Sequence, residues 1–408
     1  MPATITAIVT TRDAGRLLPE AVHSILAQTR MVAEIIIWDD GSTDDTPTIA
    51  AQLKDILDAA PAGSAVPTFQ YHRAERMGTG AALNRALGHA TGDYVWICGA
   101  QNLALDHTMA VLATLLDQTP EATMATGTYR RFRIHPRTRK QTDLAPEHRP
   151  DLTQGSVLRH LLESRYLPGE AAMMRRSALL SAGTFREDLR GLSQADMHIR
   201  LACQGPVRVT DDPVFLQRLI DDPPARTTDE AAAKADLALI APFRDRIPLS
   251  IYEGMFRAED PKIVRRAALL QRACVFARHT DWLAAARDFT DAAKLAPGHR
   301  LSPLEKEICD RAMSGPFGVD AALTPESRKA LREAAGLSAA GGSIARALAG
   351  GMAWRSKDAM ARGRLADVAA MGKFVSALRI YTGGHGRGDR PGQVFENAEL
   401  PDQSYLVI

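Results

Sequence analysis

The sequence is poor in cysteine. Its 408 residues include four, Cys98, Cys203, Cys274 and Cys309, and none stands in a Cys-x-x-Cys pair. That excludes a disulfide framework and a cysteine zinc motif, and it points to reduced thiols in a cytoplasmic protein. A charge of one sign is missing as well: the formal net charge is +2, so no global field draws the chain to nucleic acid. No apolar run approaches the roughly 20 residues that span a bilayer. The opening residues, MPATITAIVTTRDAGRLL, lack the basic-then-apolar order of a signal peptide. Any membrane contact is therefore expected to be peripheral, at the inner face. The first candidate strand-to-helix turn, TTRDAGR, has no Gly-x-Gly-x-x-Gly and so excludes the dinucleotide-binding fingerprint.

What is present is ample material for a core, with 45% apolar residues. Candidate strands at Ile5–Val9, Glu34–Trp38, Phe69–Arg73 and Tyr94–Cys98 alternate with helical periodicity at 16–28, after Ser42, and at 78–89. A further helix is expected near 108–118 and a further strand within ATMATGTYRRFRI, followed by a polar loop, HPRTRKQTDLAPEHRPD. Without a hairpin signal, this alternation predicts an α/β fold with a doubly wound, mostly parallel sheet. After residue 225 alanine, leucine and charge replace the β-branched runs, which predicts a mostly α-helical C-terminal region. We divide the chain into 1–225, a helical region at 226–335 and a basic helical segment with a glycine-rich tail at 336–408. In the second region Ala273, Phe276, Ala285, Phe289, Ala292 and Pro297 have the spacing of one tetratricopeptide-like helix pair. In the third, Gly350-Gly351 is expected to interrupt a helical stretch. There Arg346, Arg355, Lys357, Arg362, Arg364, Lys373 and Arg379, with Trp354 and Phe374 among them, suit either a solvated helix face or contact with anionic lipid.

The most specific turn is IIIWDDGSTDDT. A buried strand runs into Asp39, Asp40 and Gly41, then into a helix with Ser42 or Thr43 as its cap and Asp44 and Asp45 in its first turn. Asp40 at the strand end can accept hydrogen bonds from a base or ribose, and Gly41 permits positive φ or close approach. An ordinary capping cluster would explain the later residues of this turn but not both Asp39 and Asp40.

Three stretches in order, ITAIVTTRDAGRLLPEAVHSILAQT, EIIIWDDGSTDDT and GTGAALNRALGHATGDYVWI, resemble the N-terminal half of a family 2 glycosyltransferase with the GT-A fold. Farther on, AAMMRRSALLSAGTFREDLRGLSQADMHIRLACQG is similar to the acceptor-side segment of that family, so the resemblance covers about 3–220. It implies a nucleoside diphosphate sugar as partner and a glycan, lipid or protein acceptor. It also assigns Thr10, Thr11, Asp13, Asp39 and Asp40 to the nucleoside, and Gly78, Ala82 and Asn84 to the diphosphate side. Arg76, just before Gly78, is placed to meet a phosphate. The processive-synthase motif Gln-x-x-Arg-Trp is absent.

Two positions depart from the family pattern. Where Asp-x-Asp holds Mg²⁺ or Mn²⁺, this chain has Gly99-Ala100-Gln101, and Gln101 offers only a neutral amide to a metal or a sugar. No metal ligand is therefore assigned and no cofactor is expected, Mg²⁺ or Mn²⁺ being the weakly supported alternative. Where the family has its acidic pair before Arg-Leu-Ala, this chain has Ser193-Gln194-Ala195-Asp196. Asp196 and His198 are the candidate bases, each with an ordinary reading as a packed helix residue. Two functions follow: a non-processive glycosyltransferase, with Arg76 in the metal's role, or an inactive glycosyltransferase-like binding or scaffold protein.

Overall fold

The computed structural model describes residues 2–61, 65–135, 137–138, 140–145, 156–164, 167–189, 191–219, 235, 238–239, 247–314, 324–361, 363 and 365–382. Its contacts form two compact units. The first is built mainly from Met1–Leu161 and Arg165–Arg226, the second from Leu162–Ser164 and Thr227–Gln403.

The first unit begins with β1 (Ile5–Thr11), α1 (Leu18–Leu26), β2 (Glu34–Asp40), α2 (Thr46–Asp58), β3 (Thr68–Ala74), α3 (Thr79–His89) and β4 (Tyr94–Gly99). It continues with β5 (Leu103–Ala104), α4 (Thr108–Asp117), β6 (Met124–Ile134), β7 (Gln141–Leu144) and α5 (Val157–Glu163). It ends with β8 (Ala172–Arg175), α6 (Arg176–Ala182), α7 (Ser193–Gln204) and β9 (Val207–Arg218). Among the described residues the strands make one nine-stranded sheet, ordered β3-β2-β1-β4-β8-β6-β9-β5, with β7 on β6. β1 to β4, β6 and β9 run one way, and β5, β7 and β8 the other. The sheet is mixed, with its parallel part at β3-β2-β1-β4. β1, β2 and β4 are nearly continuous apolar runs because both sheet faces are covered. α1 turns Leu18, Ala21, Val22 and Ile25 inward, one stripe at helical spacing.

Two local expectations are corrected. Part of the polar loop after β6 is a strand, for β7 pairs antiparallel with β6 in a hairpin. Its residues are mostly exposed, so it carries no apolar alternation to read. The helix after β2 starts at Thr46, later than expected; Asp45 is its cap residue and Asp44 accepts from the Thr46 N–H. Ser42, Asp44 and Asp45 thus precede the helix, and Ser42 serves the first loop instead.

Among its described residues the second unit has only helices: α8 (Leu249–Glu253), α9 (Pro261–Arg278), α10 (Trp282–Lys294), α11 (Pro303–Ala312), α12 (Pro325–Gly336), α13 (Ala339–Ala361) and α14 (Leu365–Thr382). α9 and α10 pack as a pair that buries Ala273, Phe276, Ala285, Phe289 and Ala292. Arg272 bridges the pair with two 2.7 Å bonds to Asp288. Arg266 and Glu305, both fully buried, meet at 2.7 Å, and three carbonyl oxygens take the remaining guanidinium hydrogens. Such a pair specifies one packing more than it adds stability. Gly350-Gly351 does not interrupt α13. A Cβ on Gly351 would lie 2.9 Å from the Asp310 carbonyl oxygen, so this glycine admits α11 at close range. Phe374 is buried, whereas Arg362, Arg364 and the side chains of Trp354 and Arg379 lie outside the described residues.

Candidate functional site

β1 lies between β2 and β4, with Thr11 opposite Asp39 and Thr10 opposite Gly99. The strand order reverses on either side of β1, and ligands of open α/β sheets bind outside the carboxyl ends at such a point. A cavity of about 770 Å³ occupies this place. Of the residues expected on a nucleotide sugar, Thr10, Thr11, Asp40, Arg76, Gly78, Ala82 and Gln101 line it. Arg12 and Glu187, the latter from the loop before α7, also line it, and sequence reading missed both.

The first two loops are tied to each other by acids. The Asp13 carboxylate accepts the Thr43 N–H at 2.7 Å, and Ser42 Oγ accepts the Asp13 N–H at 2.9 Å. The Thr43 N–H holds the Asp13 carboxyl below its usual range. Asp39 is fully buried and accepts from Ser42 N–H at 2.8 Å and from the Tyr71 hydroxyl at 2.7 Å. Burial, and then this bond, raises the Tyr71 hydroxyl's pKa. Asp13 and Asp39, expected on the nucleoside, therefore spend their oxygens on the protein and do not line the cavity.

Asp40 does line it, and it also organises the next loop by accepting from Met77 N–H at 2.7 Å and Gly78 N–H at 3.1 Å. Gly41 has φ +80°, and a Cβ there would meet the Arg76 nitrogen at 2.8 Å. Only glycine combines that dihedral with that approach, and the approach carries Arg76 to the cavity. Arg76 is exposed and has no salt-bridge partner among the described residues. Gly78 caps α3 with positive φ and no side chain, so the first helical N–H groups of Thr79 and Gly80 border the cavity unclaimed by a cap. Arg76 and this helix N-terminus make the wall suited to an anion, and Arg12 is a second cation in the cavity lining. Thr11 also lines the cavity; its hydroxyl is buried and has no hydrogen-bond partner among the described residues.

Asn84 was expected on the diphosphate side. Its amide instead donates to the Phe185 carbonyl at 2.9 Å and to Glu187 at 3.0 Å, and accepts from the Phe185 N–H at 2.7 Å. It holds the loop that presents Glu187. Both expected bases are corrected too. Asp196 is buried, accepts from Arg200 Nε at 2.8 Å, and does not line the cavity. His198 is fully buried, neither ring nitrogen has a partner among the described residues, and burial lowers its pKa to about 4. It is neutral at physiological pH and away from the cavity. Packing explains both: α7 is buried around most of its circumference, so Asp196 and His198, on opposite sides of the helix, are each enclosed by protein.

The end of β4 holds the least expected contact. Glu170, which no local motif marks, accepts from Asn102 Nδ2 at 2.9 Å and from Gly99 N–H at 3.3 Å. Asn102 Oδ1 in turn accepts the Arg218 N–H at 3.1 Å. The family position of a metal was tested against these donors. Gln101 supplies a neutral amide, Asp40 accepts from two N–H groups, and Glu170 gives one oxygen to Gly99 and Asn102 and does not line the cavity. Among the described residues no three His, Cys, Asp or Glu side chains converge to hold an ion. This donor set does not fit a resident Mg²⁺ or Mn²⁺.

The sheet order, the crevice and the acid-glycine turn define an open α/β unit with a polar cavity at the carboxyl ends of its central strands. Residues 6–181 match the model of glycosyl transferase family 2. It is 35% identical over 103 residues to an uncharacterised glycosyltransferase of Nostoc, covering 25% of this chain and 30% of that protein. Overall the chain spans between 26% and 60% of the length of the curated relatives it matches. Among solved structures, S. aureus TarS 1-349 in complex with UDP-GlcNAc aligns with a TM-score of 0.49 and 12% identity, over 80% of this chain and 90% of that one. The mannosyltransferase PcManGT of Pyrobaculum calidifontis, in complex with GDP-Man and Mn²⁺, aligns with a TM-score of 0.43 and 18% identity, over 94% and 87%.

Proposed function

We propose that this chain transfers a sugar from a nucleoside diphosphate sugar to an acceptor hydroxyl, without a resident metal. The observation that carries this reading is one cavity, in a segment that matches the family 2 model, that combines Thr10, Thr11 and Asp40 with Arg12, Arg76 and the N-terminus of α3. Its polar groups suit a nucleoside and its cationic groups a diphosphate. The acceptor oxygen attacks the anomeric carbon, the bond from that carbon to the phosphate oxygen breaks, and the diphosphate leaves with the electron pair. In the family a divalent cation offsets that charge. Here the arginines and the helix N-terminus carry the load. The acceptor's proton goes to Glu187, an exposed carboxylate on the cavity wall held by Asn84.

The test is calorimetric titration with UDP, GDP and their sugars in EDTA and again with Mn²⁺. Binding of one nucleotide series, unchanged by the cation, supports the reading; no binding of any overturns it.

A second reading, an inactive nucleotide-binding or scaffold protein, is favoured by one observation: neither acidic motif of the family keeps an acid, with Gly99 and Gln101 at one and Ser193 and Gln194 at the other. A nucleotide that binds while its sugar is neither transferred nor hydrolysed selects this reading. As to acceptor location, among the described residues no helix is long and apolar enough to cross a membrane. We propose that peripheral contact, where it occurs, is electrostatic: Arg346, Lys357 and Lys373 are exposed while Phe374 is buried. Salt-sensitive co-sedimentation with anionic vesicles checks it, and a chain that stays in the supernatant at low salt removes it.

A further inference from the structure

The end of β4 is a loop whose family-typical charge has been removed, yet a carboxylate still reaches it from elsewhere in the sequence. Glu170 stands just before β8, next to β4 in the sheet, and the Trp96 indole N–H donates to its carbonyl oxygen at 2.8 Å. Its side chain then reaches the strand end, taking the Gly99 N–H and one Asn102 amide hydrogen. Asn102 is buried, and among the described residues its amide has two partners, Glu170 on Nδ2 and the Arg218 N–H on Oδ1. Arg218 Nε also donates to the Gln101 carbonyl oxygen at 3.1 Å. The Gln101 backbone is thus held between Glu170 contacts on both sides in sequence and Arg218 behind. Its side chain folds over Gly99, where a Cβ would lie 2.7 Å from both amide atoms. Gln101 is the part of this assembly that lines the cavity.

We propose that Glu170 is a positioning residue for the donor site: it holds the end of β4 in the shape that turns the Gln101 amide toward the nucleotide's leaving-group side. The inference rests on the reading of the cavity as a nucleoside diphosphate site. A carboxylate that accepts two N–H groups is a strong local clamp, because its charge strengthens both bonds. It also fixes the sign of the neighbour at 102, which must donate.

That requirement gives a test by exchange. In Asn102→Asp two carboxylates face each other, and the loop is pushed out of register. In Glu170→Gln the clamp loses its charge. Both N–H groups reach the same Glu170 oxygen, so in the double variant the Gly99 bond is given up, while the amide now at position 170 can donate to the carboxylate now at position 102. That carboxylate, in turn, still accepts from the Arg218 N–H. The full chain is titrated with UDP and with GDP by calorimetry, with melting temperature followed alongside. For whichever nucleotide the wild type binds, the expected losses of affinity are about tenfold or more in Asn102→Asp and about threefold in Glu170→Gln, with the double variant returning to within about threefold of wild type. Gln101→Ala should lose affinity at an unchanged melting temperature, which keeps the test open where an exchanged variant folds poorly. Single variants that lower the melting temperature but bind as the wild type does would show a purely structural clamp and overturn the proposal. A double variant no better than the worse single one would overturn it as well. A wild type that binds neither nucleotide defeats the donor-site reading itself, a separate result.

Discussion

The two strand ends that flank β1 solve the same problem differently. β2 ends in two acids and a glycine, all adjacent in sequence, and the turn is built by them: Asp39 anchors it from inside, Asp40 braces the loop to α3, and Gly41 lets Arg76 approach. β4 ends in glycine, alanine and glutamine, and its anion is Glu170, 68 residues from the Asn102 it holds. The first arrangement is local and survives as a motif. The second is assembled across the sheet and leaves no motif. A missing acidic pair in a sequence is therefore evidence about ligands of a metal, and not about the presence of charge near the site.

The comparison breaks most visibly at the base. If Glu187 has taken over from the acid lost at 194, Glu187→Gln should lower turnover by roughly 100- to 10,000-fold while nucleotide affinity stays within about twofold. Transfer assays beside calorimetry separate the two, and equal turnover would return the search to α7. The next largest effect lies in α7 itself. His198 has its pKa lowered from 6.5 to about 4 by burial, so the folded state binds fewer protons than the unfolded state between those values. Stability is then greatest above about pH 6.5 and falls by roughly 3 kcal/mol as pH drops toward 4. A urea-midpoint series against pH should show this slope, and His198→Leu should flatten it; a slope that persists in the variant assigns it to other groups.

The β2 side should respond through binding. Asp40→Ala removes both a ligand contact and the brace on Met77 and Gly78, and nucleotide affinity should fall by ~1.5–3 kcal/mol. Unchanged affinity in a folded variant would mean that Asp40 serves the loop alone. The smallest expected effect is the sharpest on the β4 side: EDTA should change turnover less than about twofold, given donors that suit no hard cation. Activity abolished by the chelator and restored by Mn²⁺ would show that carboxylates converge there in the working enzyme.

How much was readable follows the same division. The parallel core was legible because runs such as EIIIWDD and YVWICG bury every apolar side chain, which periodicity reports directly. β7 was not, since an exposed edge strand needs no apolar alternation. Gly351 read as a helix break, but it is a point of close helix approach, and intrahelical sequence cannot tell one from the other. At the site, Asp13, Asp39 and Asn84 were recognised as polar residues in the right loops. Which way each points was decided by partners 30, 32 and 101 residues away.

The sequence by itself determined the order of elements, the strand ends that form the crevice, and the acid-glycine turn at Asp40 and Gly41. Each rests on dihedral preference or burial pattern within a few residues. Only the tertiary structure decided that Asp196 and His198 are enclosed by protein, that Glu187 reaches the cavity wall, and that Glu170 supplies the anion at the end of β4. Those outcomes depend on the pairing of β8 with β4 and on the packing around α7. A side chain's direction is set by what packs against it, and in this chain the packing partners are distant in sequence.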